Sequence, residues 1–63
     1  MEFMHEVTFR KYMFCTDEGI FDYAELPKSV TGFVLGFVPT PVGNRLTVLA
    51  NGQQFLVDER DLI

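Results

Sequence analysis

Hydrophobic and polar positions alternate from the start of the chain. In residues 3–15, Phe3, His5, Val7, Phe9, Lys11, Met13 and Cys15 fall on one face, and Met4, Glu6, Thr8, Arg10, Tyr12 and Phe14 on the other. A period of two built from β-branched and aromatic residues predicts a strand. The first face is the more apolar and is expected to point inward. Lys11 interrupts it, which predicts a bend or bulge near Arg10 and Lys11. Residues 16–29 read TDEGIFDYAELPKS and lose the alternation. They predict a long loop, tacked down by Ile20, Phe21, Tyr23 and Leu26. A helical turn over residues 21–26 is the competing reading, ended by Pro27, because the residue before a proline is pushed out of the α region.

Residues 30–38, VTGFVLGFV, predict the strongest strand. One face is Val30, Gly32, Val34, Gly36 and Val38, the other Thr31, Phe33, Leu35 and Phe37. Neither face is polar, whereas a strand with one wet side alternates apolar and polar. This strand is therefore expected to be covered on both sides. The glycines permit a bend or the close approach of another backbone. Residues 39–44, PTPVGN, form a turn by composition. A strand over residues 45–50 follows, then Asn51-Gly52, then a strand over residues 53–57. Asn-Gly between two apolar runs predicts a tight hairpin, because both residues tolerate the positive φ of a type I′ turn. Asp58-Glu59-Arg60-Asp61 predicts a short polar 3₁₀ turn before a brief last strand at Leu62 and Ile63.

This order predicts a single all-β domain over residues 1–63, a small five-stranded barrel with a long first loop and a short 3₁₀ turn before the last strand. It resembles the SH3-like barrels, through turn placement rather than a motif. The aromatic peptide-binding signature of signalling SH3 domains is not there, although Phe21-Asp22-Tyr23-Ala24 echoes it faintly, and one barrel hosts many functions. Residues 31–37, TGFVLGF, also resemble the Gly-x-x-x-Gly-aromatic layout of the plasmid-borne type II dihydrofolate reductases, which assemble as a tetramer around a central pore. Asp61-Leu62-Ile63 is compatible with that resemblance. Gln54 aligns with the family's pore glutamine when Phe55 and Leu56 stand for its isoleucine and tyrosine. The tyrosine is then missing, and the nearest preceding lysine is Lys28, in the predicted loop. The resemblance implies a shared barrel, and a site that forms only where subunits meet.

Composition narrows the functions. With 63 residues the chain makes one small domain, which is only marginally stable by itself. One cysteine excludes an intrachain disulfide, and one histidine excludes a zinc-like cluster. Self-association is the remaining support. The net charge is −4, with five basic residues scattered among nine acidic ones. That argues against nucleic acid, whose binders carry a basic patch, and against an anionic membrane surface. No apolar run approaches the roughly 20 residues that span a bilayer. The acidic start, MEFMHE, is unlike a signal peptide. Together with the lone cysteine, it leads to the expectation of a cytoplasmic setting.

No catalytic residue, cofactor site or metal site is assigned. His5 has no carboxylate or serine partner at a meaningful spacing and reads as a strand residue. Cys15 has acidic neighbours, Asp17 and Glu18, which oppose thiolate formation, and reads as a small apolar filler at a strand end. The spacing of Asp17, Glu18, Asp22 and Glu25 does not match a calcium loop. The apolar surplus is the more informative feature, with seven phenylalanines in the chain. If Val34 and Leu46 point inward, then Phe33, Leu35, Phe37, Leu49 and Phe55 cannot all do so, and they form the candidate interface. Asp17, Glu18, Phe21, Asp22 and Tyr23 form a candidate partner-binding loop. The expected function is a non-enzymatic protein–protein interaction or assembly module, as a homo-oligomer or with another protein. The alternative is a ligand binder or enzyme with its site at a subunit interface.

Overall fold

The computed structural model describes residues 5–63; Phe3 and Met4, assigned above to the first strand, lie outside the described residues. Four antiparallel strands form one sheet closed into a ring: β1 (Glu6–Cys15), β2 (Phe21–Thr40), β3 (Gly43–Ala50) and β4 (Gln53–Asp58), in the order β1-β2-β3-β4. A 3₁₀ turn, Glu59–Asp61, follows β4 as the polar run predicts. The fifth strand is reduced to a single bridge between Leu62 and Phe9 and one bond from the Ile63 N–H to the Thr8 carbonyl, 2.9 Å. Asp58 caps the 3₁₀ turn by accepting the Arg60 N–H.

The long first loop is corrected to a tight hairpin. Gly19 adopts φ 81°, the Thr16 N–H donates to the Ile20 carbonyl (2.8 Å), and the Ile20 N–H donates to the Thr16 hydroxyl (3.3 Å). This turn closes over residues 16–20, and Phe21 pairs directly with Cys15. The acids that suggested a loop sit on the strand instead. Asp22 and Glu25 are exposed there, which an edge of a small sheet tolerates. Pro27 is accommodated because the β1–β2 ladder is interrupted beside it, between the pairs Lys11↔Glu25 and Phe9↔Val30. The Arg10 guanidinium Nε donates to the Leu26 carbonyl across that gap, 2.8 Å.

Two irregularities set which side chains face inward. The first, between Phe9 and Lys11, falls where Lys11 predicted a bend or bulge, but its surplus residues lie on β2, where residues 26–29 stand against Arg10 alone. It inverts the alternation of β1. Phe9 is fully buried in the core with Val34, Leu46, Val48, Ala50 and Val57. Beyond the bulge Tyr12, not Met13, packs against this cluster. Met13 is buried outside the main cluster, opposite Tyr23 and Leu56. Cys15 is exposed at the end of β1 and is no core filler. The second irregularity lies between Val34 and Gly36, where Leu35 and Gly36 oppose the single Thr47. Val34 therefore pairs inward with Val48, and Phe37, three residues on, pairs with Leu46.

Gly32 holds the inner side of β2 where it crosses β3. A Cβ there meets the Leu49 carbonyl oxygen at 2.4 Å and Ala50 Cβ and Val48 Cγ1 at 2.9 Å. Only a residue without a side chain lets the two backbones approach this closely. The hairpin at Asn51-Gly52 has φ 53° and 78°, as a type I′ turn requires.

Candidate interaction surface

The outer face of β2 and β3 departs from the expectation of a strand covered on both sides. Phe33, Leu35 and Leu49 are 43%, 47% and 37% exposed. Register places them together. Glu6, Phe33, Leu49 and Gln54 form one row across β1, β2, β3 and β4. Thr8 and Thr31 lie on the next rung, joined hydroxyl to hydroxyl at 3.0 Å. Gly36, Thr47 and Leu56 form the row on the other side. Between Glu6 and Gln54, the patch carries apolar side chains and threonines without a charged group. These strands are short of cover because a ring of four has a single layer of core. That core is already filled by Phe9, Val48 and Val57, the largest fully buried side chains.

The other two members of the candidate interface go elsewhere. The bulge at Leu35 turns Phe37 to the inner side of β2. There it lines a cavity of about 490 Å³ at one open end of the ring, with His5, Val7, Asn44, Glu59 and Leu62. The Glu59 carboxylate accepts the Asn44 N–H at that rim, 2.9 Å. Phe55 faces inward and is half-buried. Its ring stands 5.4 Å from Phe9 and 5.0 Å from Tyr12, tilted and edge-on, the geometries aromatic pairs prefer. Phe55 thus belongs to the core rather than to the exposed patch. Alternation alone groups Phe33 with Phe37, and the bulge that separates them leaves no mark in the sequence beyond Gly36.

The residues of the candidate partner-binding loop are divided between the turn and β2. Asp17 and Glu18 are exposed on the turn, whereas Phe21, Asp22 and Tyr23 belong to β2. Each exposed ring carries a cation: Arg45 lies 4.7 Å from the centroid of Phe21, and the Lys11 ammonium 5.5 Å from that of Tyr23. Neither pair is legible in the sequence: Lys11 and Tyr23 meet across the β1–β2 hairpin, and Arg45 and Phe21 only when distant strands come together. Asp22 turns its carboxylate to the Tyr23 N–H, 2.8 Å.

One charge cluster is built into the fold. The Asp58 carboxylate accepts from the Arg60 backbone N–H (3.0 Å), from Arg60 Nε (3.1 Å) and from an Arg60 terminal nitrogen (3.0 Å). These bonds from Arg60, with the more distant Arg45, hold the Asp58 pKa below its ordinary value against the opposing effect of burial. The Arg60 pKa is raised by the same contact. The cluster ties the 3₁₀ turn to β4 and has a structural role. Among the described residues, no group of three or more His, Cys, Asp or Glu side chains is placed to hold a metal ion, and no helix is long and apolar enough to cross a membrane. No protein-family model, curated protein or solved structure matches the chain.

Proposed function

We propose that the chain is a non-enzymatic interaction module, an SH3-like small barrel that works in a reducing compartment by packing its uncharged outer face against a second copy. The observation that carries this reading is the joint exposure of Phe33, Leu35 and Leu49 on adjacent strands. Contiguous apolar area of this kind marks interaction sites on small soluble proteins. A stable interface buries about 800 Å² on each partner, so the contact extends over the neighbouring Thr31, Thr47 and Leu56 as well. Because the patch carries no charge, it presents no repulsion between copies of a chain whose net charge is −4.

Light scattering behind size exclusion tests this. At tens of micromolar, the native chain is expected to elute as an oligomer and the double variant Phe33→Ser, Leu49→Ser as a folded monomer. A native chain that stays monomeric refutes the reading. A ligand site at the subunit interface is a second reading, supported by the place of Gln54 in the same row as Phe33 and Leu49. It predicts that NADPH or folate binds the oligomer and not the double variant, and no binding to either removes it.

A further inference from the structure

The ring is least complete where β4 returns to β1, because one pair, Met13 with Leu56, joins them. On β4, the two-residue turn at Asn51-Gly52 makes Ala50 and Gln53 the closing pair of the hairpin. Gln53 and Phe55 therefore turn their backbone groups toward β3, and Gln54 and Leu56 turn theirs toward β1. On β1, the bond from the Thr16 N–H to the Ile20 carbonyl fixes the opposite alternation: Phe14 and Tyr12 serve β2, and Met13 and Cys15 face β4. Met13 and Leu56 meet. Cys15 and Gln54 are the next antiparallel partners in that register, and among the described residues they form no pair. Between them lies a slot of about 480 Å³, lined by Tyr12, Phe14, Phe21, Leu26 and Phe55 as well as by Cys15 and Gln54.

The geometry points to a strand-addition site in this slot, for an extended, uncharged segment of a partner protein bearing one large apolar side chain. The strand alternation turns the backbone N–H and carbonyl of Gln54 toward β1 and those of Cys15 toward β4. Main-chain pairing of this kind supplies affinity, and pockets for alternate side chains supply selectivity. The Tyr12 and Phe55 rings, 5.0 Å apart, form an aromatic wall against which an apolar side chain packs. No charged side chain lines the slot, so a charged segment loses hydration there without gaining a partner. The inference deepens the interaction-module reading; the slot shares Leu56 with the rim of that face but none of Phe33, Leu35 and Leu49.

The test uses the full chain made by chemical synthesis, with and without an N-methyl group on the Gln54 amide. The β3–β4 ladder does not use that amide. The probe is the peptide acetyl-Thr-Val-Thr-Phe-Thr-Val-Thr-amide, with a version carrying glutamates at the threonine positions as control. Saturable binding is expected at about 1 mM or tighter by calorimetry, with slower reaction of the Cys15 thiol with a disulfide reagent. N-methylation of Gln54 is expected to weaken binding at least about threefold, the loss of one hydrogen bond. If the modified chain misfolds, N-methylation of alternate amides in the probe reads the same loss. Absence of saturation, equal affinity after methylation, or equal binding of the glutamate peptide overturns the proposal. Protection of Cys15 that depends on protein concentration without peptide assigns the slot to a second copy and also overturns it. The Phe33→Ser, Leu49→Ser variant is expected to keep peptide binding while losing assembly, which separates failure of this site from failure of the oligomer.

Discussion

Gly32 and Gly36 stand four residues apart on one strand, yet alanine at the two positions is expected to act in opposite directions. At Gly32 the added Cβ meets a backbone oxygen at 2.4 Å and two inward-facing carbons at 2.9 Å. Real Cβ contacts essentially never fall below 3.0 Å, so β2 and β3 must part there by about 0.6 Å. A carbonyl held in a strand cannot swing aside like the tip of a long side chain. The parting also loosens Val48 and Ala50, which are both core residues. Overpacking of this kind costs about 1–3 kcal/mol. A domain of this length holds about 3–9 kcal/mol in total. A loss of about 2 kcal/mol lowers the melting temperature by about 8–16 °C. At Gly36 nothing lies within 4 Å of the added Cβ. There the main effect is a less flexible unfolded chain, worth about 0.4–1 kcal/mol of added stability. Thermal melts by circular dichroism, with urea unfolding of both variants, measure the difference. Equal shifts for Gly32→Ala and Gly36→Ala, or a neutral Gly32→Ala, would refute the close crossing of β2 over β3.

Two further outcomes follow from the same packing. Phe55→Ala removes a ring wedged between Phe9 and Tyr12 and is expected to cost about 2–3 kcal/mol in urea unfolding, whereas Phe33→Ser shifts the stability of the dilute monomer by less than about 1 kcal/mol. Equal losses would mean that Phe33 is covered within the monomer. Asp58→Asn removes the charged partner of Arg60 and is expected to cost about 1 kcal/mol at pH 7. The folded Asp58 pKa lies below the unfolded value of about 3.9, so its contribution is present above that value and is lost as the pH falls through the folded pKa. Urea midpoints of the native chain should therefore drop more steeply below about pH 4 than those of Asp58→Asn, and parallel profiles would deny the bond a part in stability.

Much of the strand pattern was legible in the residues. Alternation located β1, the heart of β2, β3 and β4, because one buried face imposes a period of two on any strand that borders a core. Asn51-Gly52 marked its hairpin because few other residues adopt positive φ twice in succession. Lys11 marked the break in the β1–β2 ladder, since a charge on an apolar face requires the strand to turn it out. The acidic run after Cys15 misled, because charged residues are equally compatible with a loop and with the exposed side of a hairpin. The candidate interface was legible as a surplus of large apolar residues, but not as a surface.

What the sequence determined by itself is therefore local: where the chain extends, where it turns, and that it carries more large apolar groups than one small core can hold. Tertiary structure decided which of those groups are covered. The bulge at Leu35 reverses the facing of every residue after it on β2, sending Phe37 to the inner side while Phe33 stays out. Closure of the ring brings Phe55 onto Phe9, Arg45 onto Phe21, and leaves Cys15 and Gln54 facing each other unpaired. None of this is written in periodicity, because the side of a sheet on which a residue lies is counted from its partners across the ladder, and those partners are chosen only when distant strands meet.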